Sequence, residues 1–335
     1  MHETSSPIAL TIGDPAGIGP EITASVMNRG FLKKGAAYII GQPSSLMRLL
    51  LPEVSAQAEV ISAEDALRRN TGKKYLIVDT GGNDRGELPP GPSARGGRIS
   101  GRSVETAIDF ARRGKVRGIV TGPISKKALS LAGYTYRGHT DMLADMFDSP
   151  RCQMIMVNGE LRVVIMTRDI PLKDVPRAVT AERIISAVKV TAEGLRLNWS
   201  ITQPTIAVSA LNPHAGDGGL LGREEQDIII PALEKLRAEG LDVTGPVPAD
   251  TLFYRWKDKS MHACVAMYHD QGMIPFKTMG FERGVNMTMG LPVVRTSVCH
   301  GTAYDLAGSG EANPGSLEAA LKLAAECIER RRSRA

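Results

Sequence analysis

The chain has 335 residues, 42% of them hydrophobic and 23% charged, which is about twice a usual domain and enough for two domains or one large α/β unit. Its least charged stretches, such as CQMIMVNG and TIAVSALNP, are far shorter than the roughly 18 residues that span a bilayer, so a membrane helix is excluded. The net charge of +5 does not point to nucleic acid, because Arg330, Arg331, Arg332 and Arg334 sit in the tail ERRRSRA at an expected helix C-terminus, and aromatics make up only 4%.

Short β-rich runs alternate with amphipathic helical stretches. Strands are expected at 7–12, 36–41, 75–79, 117–122, 153–158, 161–167, 205–211 and 263–269, and helices at 100–113, 181–197, 224–239 and about 315–331, the last capped by Ser316. This alternation predicts βαβ units and a largely parallel sheet covered on both faces. Residues 80–99, TGGNDRGELPPGPSARGGRI, are rich in glycine and proline and read as a long surface loop or flap, or as a boundary. Cys152, Cys264, Cys299 and Cys327 form no CxxC pair, which favours reduced core cysteines over a disulfide or cysteine-zinc framework. The start MHETSSPIALTIGDP carries no basic n-region followed by an apolar stretch and a cleavage site, so a cytoplasmic protein is expected.

Polar clusters fall where strands end, the place where open α/β sheets bind ligands. TIGDPAGIGPEI, residues 11–22, is a glycine-rich turn that fits neither GxGxxG nor a P-loop, and it can equally be a tight turn opening a helix at Pro20. In RGHTDMLADM, His139 and Thr140 precede a helix, where Thr140 can cap it or both can donate to an anion. His214 in ALNPHAGDGGLLGREE follows a strand and suits a ligand or catalytic role better than a core one. His269 in ACVAMYHDQGMIPFK is a buried strand histidine or a ligand. Lys277, Asn286 and Arg295, spaced nine apart, are surface groups or donors to a phosphate or carboxylate.

The stretch HGTAYDLAGSGEANP resembles the adenosine-binding loop of the isocitrate and isopropylmalate dehydrogenase superfamily, and IGDPAGIGPEI resembles its N-terminal signature. With TGPISKKAL, GHTDMLA, LNPHAGDGGLLGREE, GPVPADTLF and AMYHDQGMIPFK, the chain resembles the 4-hydroxythreonine-4-phosphate dehydrogenase (PdxA) family from about residue 7 to 330. The resemblance implies an α/β fold of two α/β/α subdomains, about 1–125 with 270–335 and 126–269, with the site in the cleft and the central half forming a homodimer. It implies a divalent metal, Zn, Mg, Mn or Co, on His214, His269 and Asp169, the last standing in IMTRDIPLKDV where the family usually has histidine. It implies substrate contacts from His139, Thr140, Lys277, Asn286 and Arg295, with Asp141 where the family has glutamate. Cofactor contacts fall on His300, Gly301, Ala303, Asp305, Leu306 and Asn313. Asp305 and Leu306 stand where NADP-dependent isocitrate enzymes carry Lys and Tyr, and a carboxylate accepts from a ribose 2′-hydroxyl, so NAD is expected. The expected reaction is oxidation of 4-(phosphooxy)-L-threonine followed by loss of CO₂, with Lys277, Asp250 and Asp270 as candidate proton acceptors. Alternatives are oxidation of D-threonate or D-erythronate 4-phosphate, a metal-dependent hydrolase, or a non-catalytic binder.

Overall fold

The computed structural model describes residues 7–33, 36–68, 73–81, 86–256 and 260–334. It contains the strands β1 (Ile8–Thr11), β2 (Ala37–Gly41), β3 (Ala58–Ile61), β4 (Tyr75–Asp79), β5 (Gly118–Thr121), β6 (Gln153–Asn158), β7 (Leu161–Thr167), β8 (Ile206–Ser209), β9 (Val243–Val247), β10 (Ala263–Tyr268), β11 (Val285–Met289) and β12 (Val294–Val298). All eight expected strands form, within two residues of their expected ends. Four more were not expected: β3 is short, β9 contains Gly245 and Pro246, and β11 and β12 lie in a stretch read for its polar donors.

The chain divides into two units, Met1–Pro150 with Leu291–Glu329, and Arg151–Gly290 with Arg330–Ala335. The expected cuts at 125 and 269 move for physical reasons. Beyond 125, the helix Lys126–Leu131 packs so closely on the helix Ala94–Arg112 that a Cβ at Gly97 would lie 1.9 Å from the Ala128 carbonyl oxygen, which ties it to the first unit. Beyond 269, β11 pairs antiparallel with β6, which keeps 270–290 in the second unit.

In the first unit the strands run β3-β4-β2-β1-β5-β12, all parallel. Runs such as IALT and GIVT are buried at every position, as a sheet covered on both faces requires. In the second unit the order is β11-β6-β7-β10-β8-β9, antiparallel through β6 and parallel from β7 to β9. The β6–β7 hairpin turns through Gly159, whose φ of 57° lies in the left-handed region.

Two local expectations are corrected. The region 80–99 is a loop only in part, since a helix starts at Ala94 with the Ser93 hydroxyl accepting from the Gly96 amide; residues 82–85 lie outside the described residues. Gly96 and Gly97 are there for close approach, since a Cβ on Gly96 would meet Asp14 Oδ1 at 2.7 Å. Ser316 does not cap the last helix, Gly315–Arg332. Asn313 Oδ1 accepts from the Gly315 amide, while the Ser316 hydroxyl accepts from the Cys299 amide. Among the described residues, no helix is long and apolar enough to cross a membrane.

Candidate functional site

The second unit places three of the expected residues by strand register. Tyr268 pairs with Thr167, and Val265 with Val208, so β7, β10 and β8 release their loops from one edge of the sheet. Asp169 lies two residues beyond β7, His269 directly after β10, and His214 five residues beyond β8. The backbone is unusual at two of these positions, since Asp169 has φ 55° and His214 begins a left-handed run through Gly218 with φ of 52°, 55°, 80°, 44° and 64°. Non-glycine residues held there cost on the order of 1–3 kcal/mol each, and such strain concentrates where a side chain must be presented.

His269 is exposed at the N-terminus of the helix His269–Thr278, and its Nδ1 lies 2.6 Å from Asp270 Oδ1. A carboxylate only accepts, so Nδ1–H donates and Nε2 is left with a lone pair for a cation. Asp270, expected as a candidate proton acceptor, is therefore occupied in orienting His269. Among the described residues no three His, Cys, Asp or Glu side chains converge closely enough to hold a metal ion. Asp169, His214 and His269 are all exposed, and they fit a divalent cation in donor chemistry and strand-end placement rather than as a preformed cage.

Lys277, expected as a candidate proton acceptor, follows His269 on the same helix. It lies eight residues along the same helix from His269, roughly 12 Å at the helical rise, and it is exposed with Nζ 5.3 Å from the centre of the Phe281 ring. Asp250 is also exposed, and its Oδ1 accepts from the Thr251 amide at 2.8 Å in the first turn of Ala249–Arg255. Asn286 lies on β11 with Oδ1 shielded and not hydrogen-bonded, a buried amide end suited to a polar ligand. The three donors spaced nine apart are thus divided, Lys277 and Asn286 in the second unit and Arg295 in the first.

The first unit brings Arg295 and His139 close together. Arg295 on β12 is 1% exposed, and its Nη2 donates to Thr121 Oγ1 at 2.7 Å at the end of β5. His139 and Thr140 open the helix His139–Met146, where backbone amides and the helix dipole favour negative charge. His139 is half-buried as a residue, yet its Nε2 is fully shielded and has no hydrogen-bond partner. Burial, and after it the Arg295 guanidinium, push the His139 pKa well below the usual histidine range. His139 is therefore neutral at pH 7 and can donate one N–H without adding charge. Because the unfolded chain takes up a proton there near pH 6.5 and the folded chain does not, folding stability falls as the pH drops below that value. Thermal unfolding from pH 7.5 to 5 is expected to show a shallower decline for His139→Gln than for the parent.

The loop between β12 and the last helix, also in the first unit, carries the expected cofactor residues. Ile18 N–H donates to Thr302 O, and a Cβ on Gly17 would lie 2.6 Å from that same oxygen, so the turn 13–19 seats this loop rather than cradling a phosphate. Asp14, fully buried, accepts from Tyr304 Oη at 2.7 Å and from the Ala16 amide. Burial raises its pKa, opposed by the Ala16 and Tyr304 hydrogen bonds, and burial also raises Tyr304 to about 12. The Glu21 carboxylate accepts from the amides of Gly308 and Gly310. Asp14, Glu21 and Tyr304 were not singled out from the sequence, although DPAGIGPE contains the first two and TAYD the third. His300 Nδ1 donates to the Gly301 carbonyl, which leaves Nε2 as a shielded acceptor with no partner, and Ala303 takes a φ of 40°. Gly301, Asp305 and Leu306 are exposed on the loop, while Asn313 caps the last helix. This loop fits a dinucleotide in offering an orphaned acceptor on a braced backbone.

A protein of Desulforapulum autotrophicum named 4-hydroxythreonine-4-phosphate dehydrogenase is 40% identical over 331 residues, covering 97% of this chain and 96% of its own. A protein of Bradyrhizobium diazoefficiens named for D-threonate 4-phosphate dehydrogenase is 42% identical, covering 96% of each. The 1.25 Å crystal structure of 4-hydroxythreonine-4-phosphate dehydrogenase from Klebsiella pneumoniae superposes with a TM-score of 0.86 at 37% identity, covering 98% of this chain and 99% of that one. The family described as pyridoxal phosphate biosynthetic protein PdxA matches residues 33–324, and the chain belongs to that family.

Proposed function

We propose that the chain catalyses NAD-dependent, divalent-metal-dependent oxidation of 4-(phosphooxy)-L-threonine to 2-amino-3-oxo-4-(phosphooxy)butanoate, a β-keto acid that loses CO₂ to give 3-amino-2-oxopropyl phosphate. Family membership makes it an oxidoreductase with a nicotinamide cofactor. The observation that carries the choice of a phosphorylated substrate is the corner of buried Arg295 and shielded His139 at a helix N-terminus.

In this reading Arg295, Thr140 and neutral His139 bind the substrate phosphate through charge-assisted and helix-terminal hydrogen bonds. Lys277 and Asn286 are assigned to the remaining substrate oxygens. The secondary alcohol gives up a hydride to nicotinamide and its hydroxyl proton to a base, for which Lys277, Asp250 and Asp270 are the candidates, and so becomes a ketone. A divalent cation, when bound, polarises that hydroxyl as a Lewis acid. Asp169, His214 and His269 are the residues that would hold it, and Asp169 shifts the set toward harder, oxygen-preferring ions such as Mg²⁺ or Mn²⁺.

For the cofactor, Asp305 on the loop His300–Asn313 and Glu21, which accepts from the Gly308 and Gly310 amides of that loop, bring carboxylates there, which disfavours a 2′-phosphate. NAD is therefore expected to exceed NADP in kcat/KM, and Asp305→Lys to narrow that ratio about tenfold, since like-charge juxtaposition is what excludes the wrong partner. An NADP preference in the parent protein would overturn this assignment. A homodimer is part of the reading, supported by exposed Leu220, Leu221, Tyr254, Ile274 and Phe281 in the second unit, and light scattering checks it.

The 42% relative named for D-threonate 4-phosphate favours a second reading, in which that acid is the substrate. NADH formation from each phosphorylated acid, with Mg²⁺, Mn²⁺, Co²⁺ or Zn²⁺ supplied, decides between them by kcat/KM.

A further inference from the structure

We propose that Glu225 is a positioning residue for His214. The inference rests on the reading of His214 as a metal ligand. Glu225 is 1% exposed and not part of any expected catalytic set. Its Oε1 accepts from the amides of Leu211 and Asn212, both at 2.8 Å, and its Oε2 accepts from Asn212 Nδ2 at 2.9 Å. These two residues are the last before the Pro213–His214 step.

The same carboxylate lies beneath the left-handed run, since a Cβ on Gly216 would stand 2.7 Å from Oε2. Three non-glycine residues of that run, His214, Ala215 and Asp217, hold positive φ. A backbone so strained keeps its shape only where its surroundings over-determine it. Glu225 supplies that determination through three charge-assisted hydrogen bonds in a buried place, where they are stronger than at the surface. Gln226 holds the far end by donating to the Gly218 carbonyl at 2.9 Å.

The position of Glu225 has its own cause. It opens a π-helical turn, Glu225–Ile229, ahead of the α-helix Ile230–Ala238. Pro231 has no N–H for the Asp227 carbonyl, and the wider turn accommodates that gap. Without the Glu225 carboxylate, the run relaxes toward right-handed geometry and the His214 imidazole leaves the strand-end edge.

The test is Mn²⁺ titration by calorimetry into metal-free full-length protein, for the parent, Glu225→Gln, His214→Ala and the double variant, beside thermal unfolding of each without metal. Gln keeps one oxygen for the two backbone amides but turns an NH₂ toward Asn212 Nδ2. Glu225→Gln is expected to weaken Mn²⁺ binding about ten- to a hundredfold. The double variant is expected to be no weaker than His214→Ala alone, because both act through one ligand. Asn212→Ala, which removes one of the three hydrogen bonds, is expected to weaken binding severalfold and serves if Glu225→Gln does not fold. Parent-like affinity in Glu225→Gln or, in its place, Asn212→Ala, with His214→Ala weakened, overturns the role of Glu225 and leaves the metal reading standing. Parent-like affinity in His214→Ala overturns both.

Discussion

Replacing Arg295 with alanine is expected to lower kcat/KM by about 10²- to 10³-fold, mostly through KM, because losing one partner of a buried charged hydrogen bond costs about 2–5 kcal/mol. The side chain is 1% exposed and donates to Thr121, so its removal also leaves a cavity and an unpaired hydroxyl at the end of β5. Those two effects separate experimentally. Arg295→Lys keeps the charge but not the planar fork, and is expected to recover part of the stability and little of the substrate affinity. Competitive inhibition by inorganic phosphate reads the anion site directly, and it should weaken in parallel with KM. A variant that loses stability but keeps parent-like phosphate inhibition would make Arg295 a packing residue. The pKa of His139, held down by burial and then by Arg295, should rise in Arg295→Ala because the second cause is gone.

Replacing His269 with alanine is expected to abolish detectable metal binding and to lower kcat on the order of 10³-fold, the scale of several kcal/mol that Lewis-acid stabilisation supplies. His269 presents Nε2 because Asp270 holds Nδ1, and no buried packing is lost with an exposed side chain. Thermal unfolding of the metal-free variant should therefore match the parent. Asp169→His is expected to do the opposite of a loss, moving the preferred ion from Mg²⁺ or Mn²⁺ toward Zn²⁺ or Co²⁺ as nitrogen replaces oxygen. Metal analysis of protein purified without chelator checks both, and unchanged content in His269→Ala would remove it from the ligand set.

The parallel strands β1, β2, β4, β5, β7, β8 and β10 were legible because their apolar runs are nearly continuous and most end in polar clusters, as in ACVAMYHD and TIAVSALNPH. β11 and β12 were not, because the polar Asn286 and the charged Arg295 interrupt their apolar pattern. The helix from Ala94 was hidden by Gly96 and Gly97, residues that weaken a helix locally and are kept where Asp14 and Ala128 approach. His214 and His269 were legible as strand-end histidines. Glu225 was not, since a glutamate opening an amphipathic helix reads as an ordinary first-turn acid until the left-handed turn above it is seen. The same holds for Glu21, whose partners Gly308 and Gly310 lie nearly 290 residues away in sequence.

The most direct test of the central assignment is a coupled stoichiometry: NADH formed and CO₂ released when the purified protein meets 4-(phosphooxy)-L-threonine, NAD and Mg²⁺ or Mn²⁺, with and without a chelator. One NADH and one CO₂ per substrate are expected, with 3-amino-2-oxopropyl phosphate as product and a loss of turnover on chelation that is restored by adding metal back. NADH formation that persists undiminished in chelator, or turnover confined to D-threonate 4-phosphate, would contradict it.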